Sequence, residues 1–331
     1  MLLAGDIGGT KTALALYVDA QSLTSPIAEA TFASAQYSGL EAIVREFLKM
    51  HPHPVSVASL GVAGPIIGNE AQVTNLHWRV NTTELASQLD TASVYLLNDL
   101  AAIANALAVL QPEDLYTLNA GKPVAGGSMA VIAPGTGLGE AFLVWDGTRY
   151  CAYPSEGGHT DFAPTNDWEA GLWRHLHSTL GFAHISYEAV CSGLGIPNIY
   201  AYVKATGVAE EPEWLATALA ATRDHTPVIV NAALDTTRPC PICATTLDTF
   251  ISILGAEAGN LALKSLATGG LYLGGGIPLR ILPQLSGERF MHAFRSKGRF
   301  AKILNAIPVH VIRNPKAALM GAANYGFAQL G

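Results

Sequence analysis

Hydrophobic residues dominate positions 2–7, give way at Gly8-Gly9, and return in a β-rich run over 12–18. Short apolar runs bounded by glycine pack as buried strands, so the chain is predicted to open as strand, tight turn, strand. A third β-rich stretch follows at 28–33. The period then changes. Leu40, Ile43, Val44, Phe47 and Leu48 stand at the i, i+3, i+4, i+7, i+8 spacing of an amphipathic helix. Residues 55–63, closed by Gly64-Pro65, and residues 93–98 are predicted as two more buried strands. The second of these ends on Asn98-Asp99 and gives way to an Ala-rich helix over 100–110.

The opening pattern then returns. "SMAVIAPGTGLGEAFLVW" is again strand, glycine turn and strand, and it matches "LLAGDIGGTKTALALYV" in pattern rather than identity. Two such units suggest a duplicated architecture in which each opens one α/β domain, with a boundary near residue 110. Residues 167–266 are predicted to be mainly helical. Gly255 lies inside the longest helix and weakens it unless it serves close packing. A short strand within 269–277 ends in Gly274, Gly275 and Gly276, another covers 309–312, and "PKAALMGAANYGFAQL" closes the chain as a helix.

Composition narrows the class. The chain has 331 residues, half of them hydrophobic and 14% charged, which provides for a large core and argues against disorder. Its formal net charge is -7 and it has no basic tract, so a nucleic-acid partner lacks electrostatic support. Asp6 interrupts the N-terminal apolar run too early for a signal peptide, and Asn98, Asp99 and Asn105 break the stretch 94–110 that otherwise approaches a membrane span. Four cysteines in this length make no disulfide scaffold. A cytoplasmic protein is the expectation.

The glycine turns carry the first candidate chemistry. Neither fits the commonest nucleotide loops, because no G-x-x-x-x-G-K-[ST] run occurs and β-rich residues, not a helix, follow the glycines. A hairpin whose backbone N–H groups and Thr hydroxyls face a phosphate remains, with glycine admitting the ligand closely. An ordinary Gly-Gly hairpin is the alternative for one turn alone; two matching turns, with Asp6 and Thr10 in one and Thr136 in the other, favour the phosphate site. Asp6 is poorly placed for an anion but suits a magnesium ion held through water. In "LLNDLAA", a strand delivers Asn98 and Asp99 at its C-terminal end, where α/β proteins bind ligands. Asp99 reads equally as a general base or as the cap of the following helix. "YPSEGGHTDFAP" places Glu156, His159 and Asp161 around two glycines, suited to vicinal hydroxyls, with metal binding as the rival. Cys240 and Cys243 form a single CxxC with His225 as the nearest histidine, and structural cysteines are preferred over zinc or redox chemistry.

Taken together, these stretches resemble the bacterial glucokinases of the hexokinase and actin-like ATPase superfamily over essentially the whole length. "GDIGGTKTALAL" is similar to the first phosphate loop of that family, "TNLHW" to its TNxxW segment, "LLNDLAAIA" to the stretch bearing its catalytic Asp, and "APGTGLGEAFL" to its second phosphate loop. "PSEGGHTDFAP" resembles its sugar segment, and "CSGLGIPNIY", "GNLAL", "GGLYLGGGI" and "RSKGRF" follow in order. Departures are Lys11 where close relatives often have Asn, Gly64 where some have Cys, and Ser155 where some have Gly. The zinc signature of the related ROK kinases, a His followed by three clustered cysteines, is missing, so no structural zinc is expected.

The resemblance implies two actin-like (ribonuclease H-like) ATPase domains flanking a central cleft, a small one from residues 1–110 plus 314–331 and a large one from 111–313. It implies ATP-dependent phosphorylation of the glucose 6-hydroxyl, with Asp99 as general base. Asn98, Glu156, His159 and Glu188 would bind the other hydroxyls. Gly5, Asp6, Ile7, Gly8, Gly9, Thr10, Thr136 and Gly137 would hold the phosphates of Mg-ATP, and Gly274, Gly275 and Gly276 would border the adenosine. A homodimer with neither a nucleic-acid nor a membrane partner is implied. The alternatives are a kinase of another hexose or an amino sugar, and a catalytically silent sugar-binding regulator. The intact Asp6, Asp99 and glycine turns speak against the regulator, and the sugar segment speaks against a filament former.

Overall fold

A computed structural model describes residues 1–330 apart from Asn75 and Ala92. The first hairpin forms as its pattern requires: β1 (Leu2–Ile7) and β2 (Lys11–Tyr17) run antiparallel with Ile7 opposite Thr12. β3 (Ala28–Ala33) extends the ribbon, and α1 (Leu40–Met50) buries Leu40, Ile43, Val44 and Phe47. β4 (Val57–Val62) lies parallel to β1 and is buried along its whole length, as an interior strand covered on both faces must be.

Three strands too short to show a period follow: β5 (Ile66–Ile67), β6 (Glu70–Gln72) and β7 (Arg79–Asn81), a small antiparallel sheet. The "TNLHW" segment falls here, and its Asn75 lies outside the described residues. α2 (Thr82–Leu89) is capped by Asn81, whose side chain accepts from Thr83 and Glu84 N–H. β8 (Ser93–Asn98) completes the sheet β3-β2-β1-β4-β8, and α3 (Asp99–Ala106) follows at once. The closing helix packs against α3 so tightly that a Cβ on Gly321 would lie 1.8 Å from the Ala102 carbonyl oxygen.

The second hairpin belongs to a six-stranded sheet. Its strands are β9 (Leu115–Asn119), β10 (Met129–Pro134), β11 (Leu138–Trp145), β12 (Tyr150–Ser155), β13 (Gly270–Leu273) and β14 (Val309–Ile312), in the order β12-β11-β10-β13-β14-β9. Between β12 and β13 run α4 (Asp167–Ser178), α5 (Gly195–Thr206), α6 (Glu213–Ala220), α7 (Thr226–Leu234) and α8 (Pro241–Lys264). Between β13 and β14 run α9 (Gly276–Arg280), α10 (Leu282–Leu285), α11 (Glu288–Arg295) and α12 (Ala301–Ala306). The chain closes with α13 (Ala317–Ala328). Gly255 does serve close packing: a Cβ there would lie 2.4 Å from the Phe290 carbonyl oxygen of α11.

The chain divides into two compact units. One comprises Met1–Leu115, Leu143–Pro154 and the segment from Arg313 onward; the other comprises Tyr116–Phe142 and Ser155–Ile312. Residues 143–154, placed in the large domain by the sequence reading, group with the first unit. Among the described residues no helix is long and apolar enough to cross a membrane.

Candidate functional site

In the first unit, Asp6 and Asn98 stand at the C-terminal ends of strands two apart in the sheet. Asp6 aligns with Gly61 of β4, which aligns with Leu97; Ile7 aligns with Val62 and then Asn98. Strands in parallel register put aligned residues on one face, so Asp6 shares a face with Gly61. That face carries α3, because a Cβ on Gly61 would lie 2.9 Å from the Ala102 Cβ. Gly61 therefore lets α3 settle close, and Asp99, its first residue, approaches Asp6 electrostatically. Burial and the nearby Asp99 charge push the Asp6 carboxyl up to about 6, while Lys11 opposes the shift. Burial also raises Asp99, against the lowering effect of the backbone N–H groups at its own helix start.

Local reasoning left Asp99 as base or cap, and the structure gives the capping role to its neighbour. Asn98 Oδ1 accepts from Leu100 N–H at 2.9 Å and Ala101 N–H at 3.1 Å. Its amide nitrogen has no protein partner among the described residues, which leaves a donor at the strand end whose position the Oδ1 contacts fix. Asp99 Oδ1 takes a second contact from Leu100 N–H at 2.9 Å. The first glycine turn closes through Gly8 N–H donating to the Lys11 carbonyl at 3.0 Å. It is braced by Ser34, whose hydroxyl donates to the Gly8 carbonyl at 2.8 Å and lies 3.0 Å from Thr12 Oγ1. Ser34 was invisible as a site residue, since its partners are distant in sequence. No protein donor among the described residues reaches the Asp6 side chain, so its carboxylate is free to take a hydrated cation. The described residues contain no cluster of three or more His, Cys, Asp or Glu suited to a metal.

In the second unit, the glycine turn, the sugar segment and Glu188 come together. Glu188 Oε2 accepts from Leu138 N–H at 2.9 Å, and a Cβ on Gly137 would lie 2.4 Å from that oxygen. The backbone N–H of Glu188 donates to the Gly158 carbonyl at 2.8 Å, and Tyr187 N–H to Thr160 at 3.0 Å. Glu188 thus joins the second glycine turn to the 156–162 segment, a link that its sequence neighbourhood, which reads as the surface of a helix, does not reveal. Gly158 is required where it stands, because a Cβ would lie 2.1 Å from the Leu138 carbonyl oxygen. Glu156 and His159 flank the glycines in a short 3₁₀ turn, both exposed and without side-chain partners among the described residues. Asp161 instead pairs with His184 at 2.9 Å on the surface.

The second turn is held from two sides. Gly193 N–H donates to the Gly135 carbonyl at 2.8 Å and Leu194 N–H to Thr136 at 3.2 Å. Gly275 has φ +83°, where only glycine sits without strain, and a Cβ there would lie 2.7 Å from the Pro134 carbonyl oxygen. Beside this contact lies a cavity of about 320 Å³ lined by Gly135, Thr136, Thr226, Pro227, Val230, Gly276, Ile277 and Arg280. It combines turn backbone, an apolar wall and one guanidinium, and so suits a purine with its ribose. Of this lining the sequence had indicated Thr136 and Gly276. A cavity of about 500 Å³ in the first unit, lined among others by Tyr17, Gln111, Asp114 and Arg313, contains none of the predicted site residues. Cys240 and Cys243 are buried free thiols at the start of α8.

Comparison with known proteins follows the same pattern. A family model described as Glucokinase matches residues 3–329. The chain is 41% identical to a glucokinase of Nostoc punctiforme over 334 residues, covering 98% of each. It resembles the crystal structure of a glucokinase from an Antarctic psychrotroph at 32% identity and a TM-score of 0.86, covering 99% of this chain and 98% of the other. A Balamuthia mandrillaris glucokinase solved with glucose shares the fold at 21% identity and a TM-score of 0.75, over 99% of this chain and 93% of that one.

Proposed function

The chain belongs to the glucokinase family, and from that premise we propose how its residues share the work of phosphorylating glucose with ATP. Asp99 accepts the proton of the sugar 6-hydroxyl as that oxygen attacks the γ-phosphorus. The bond from the γ-phosphorus to the bridging oxygen of ADP breaks, and glucose 6-phosphate and ADP leave. The observation that carries this assignment is local: Asn98 performs the capping, which leaves Asp99 a half-buried, raised carboxyl beside an amide donor without a protein partner among the described residues. A base with a pKa lifted toward neutrality is better matched to an alcohol than an ordinary carboxylate is.

Asn98 Nδ2, Glu156, His159 and the free oxygen of Glu188 hold the remaining hydroxyls. The backbone N–H groups of residues 5–10 and of Thr136 and Gly137 hold phosphates, and the cavity beside Gly274, Gly275 and Gly276 takes the adenosine. Asp6, partly buried and without a protein donor, fits a magnesium ion held through water, which would neutralise phosphate charge when bound. The cytoplasmic location rests on the sequence features given above and the homodimer on the resemblance alone; sedimentation of the purified chain tests the dimer.

ADP release with Mg-ATP, measured against glucose, mannose, fructose, N-acetylglucosamine and no sugar, tests the substrate. Glucose-dependent turnover well above every other sugar is expected. Turnover confined to another sugar transfers the specificity, and glucose binding without turnover replaces the kinase with a sugar-binding regulator.

A further inference from the structure

Beneath the sugar segment lies a pair of carboxyls that no step above uses. Glu140 on β11 and Glu257 on α8 are 1% and 0% exposed and close enough to hydrogen-bond to each other. Two carboxylates repel, so such a bond requires that one of them carry a proton. The surroundings decide which. Glu257 receives Asn260 Nδ2 at 2.8 Å and the Lys264 ammonium at 3.4 Å, and Tyr187 hydrogen-bonds to it as well. Glu140 makes no such ion pair, and its Oε1 meets no donor, among the described residues. Glu257 is therefore the ionised member and Glu140 the neutral one.

Both members touch the sugar site from below. Glu140 Oε2 lies directly under Gly157, where an added Cβ would fall 2.0 Å from it. Glu257 reaches Tyr187, the residue before Glu188, and Tyr187 OH also meets Asn260 at 2.9 Å. We infer that Glu140 is a positioning residue for sugar binding: its neutral carboxyl, bonded to Glu257, forms the floor on which Gly157 and the Tyr187-Glu188 strap are set. The inference rests on the assignment of residues 156–159 and Glu188 to the sugar.

A second negative charge there would force the floor apart. Burial and the Glu257 charge raise the Glu140 carboxyl to about 8, with Lys264 opposing. The other ionisable groups facing the pair are the buried Cys191 thiol, raised by both carboxyls, and Lys297, which donates to Asn260 Oδ1 at 2.6 Å and is itself near Glu257 and Glu169. Of the groups around the pair, Glu140 is the one whose burial and like-charged neighbour hold a proton up to about pH 8, so the change there is the loss of that proton.

Calorimetric titration with glucose, without nucleotide, between pH 7 and 9.5 tests this in the wild-type chain, E140Q and E257Q. Wild-type affinity is expected to fall by about tenfold over that range, a coupling of ordinary size. Either variant can hold only one charge at the pair, so in either the fall is expected to shrink to less than about twofold. At pH 7, E140Q replaces a neutral carboxyl by a neutral amide and should bind glucose within about threefold of wild type. Infrared difference spectra give a readout independent of sugar: the carbonyl stretch of a protonated carboxyl should vanish above pH 9 in wild type and be missing in E140Q. An E140Q chain that keeps the wild-type alkaline fall, or keeps the band, overturns the inference. A wild-type chain that shows the band but binds no glucose at any pH overturns the sugar assignment instead.

Discussion

At the scale of single residues, two side chains have double duties that explain why local reasoning was ambiguous about them. Asn98 and Asp99 are adjacent polar residues at a strand-to-helix junction, and either could cap α3. The sequence cannot rank them, because the choice depends on backbone angles: Asn98 sits at φ -62° and ψ 151°, the extended conformation a cap requires, and Asp99 is already helical. A separation of the two duties follows. Asn98→Ser keeps a good cap but lacks the amide donor, so stability should change by no more than about 0.5 kcal/mol while the apparent KM for glucose rises severalfold. Chemical denaturation beside steady-state kinetics reads both; a normal KM in that variant removes Asn98 from sugar binding. Glu188 is the second case. Gly137→Ala places a methyl against its carboxylate, and the expected result is a raised KM for glucose as well as for ATP, since one displaced side chain serves both the turn and the sugar segment.

At the scale of elements, the strands and the amphipathic α1 were legible because burial imposes a period that survives in the sequence. The hairpins at both glycine turns, β4, β8 and α13 follow directly from apolar runs and their punctuation. The sheet of β5, β6 and β7 was not legible, because strands of two or three residues carry no period. The bracing of the first turn by Ser34 was hidden for another reason: its partners are brought together only by the pairing of β2 with β3. Gly255 and Gly259 show a third situation, in which a glycine reads as a weakness until its neighbour is known. A Cβ on Gly259 would lie 2.5 Å from the Phe294 carbonyl oxygen of α11. Gly259→Ala gains helix propensity of about 1 kcal/mol but overpacks a backbone contact that costs about 1–3 kcal/mol. Net destabilisation in urea unfolding is expected; a more stable variant would show that α8 and α11 pack loosely.

At the scale of the whole molecule, the buried Glu140 makes stability depend on pH. An unfolded glutamate titrates near 4.5, whereas folding raises Glu140 to about 8. The folded state therefore binds the proton more tightly, and stability from this group is full below about 4.5 and declines as pH rises through about 8. Wild-type melting temperature should fall relative to E140Q between pH 6 and 9; parallel curves would place the proton elsewhere. The sequence offered the candidate site as motifs in order along the chain, each with its residue types. What those motifs could not supply was the support beneath them, because buried carboxyls in β11 and α8 look like surface charges until the fold closes over them.

The central claim is that Asp99 takes the proton from glucose and does little to bind it. Asp99→Asn keeps the shape and the amide donor at Asn98 but removes the base. Single-variant kinetics with Mg-ATP, paired with glucose calorimetry, should show turnover reduced by about 10²–10⁴-fold and glucose affinity held within about tenfold. Turnover near the wild-type rate would contradict the account and send the search for the base elsewhere.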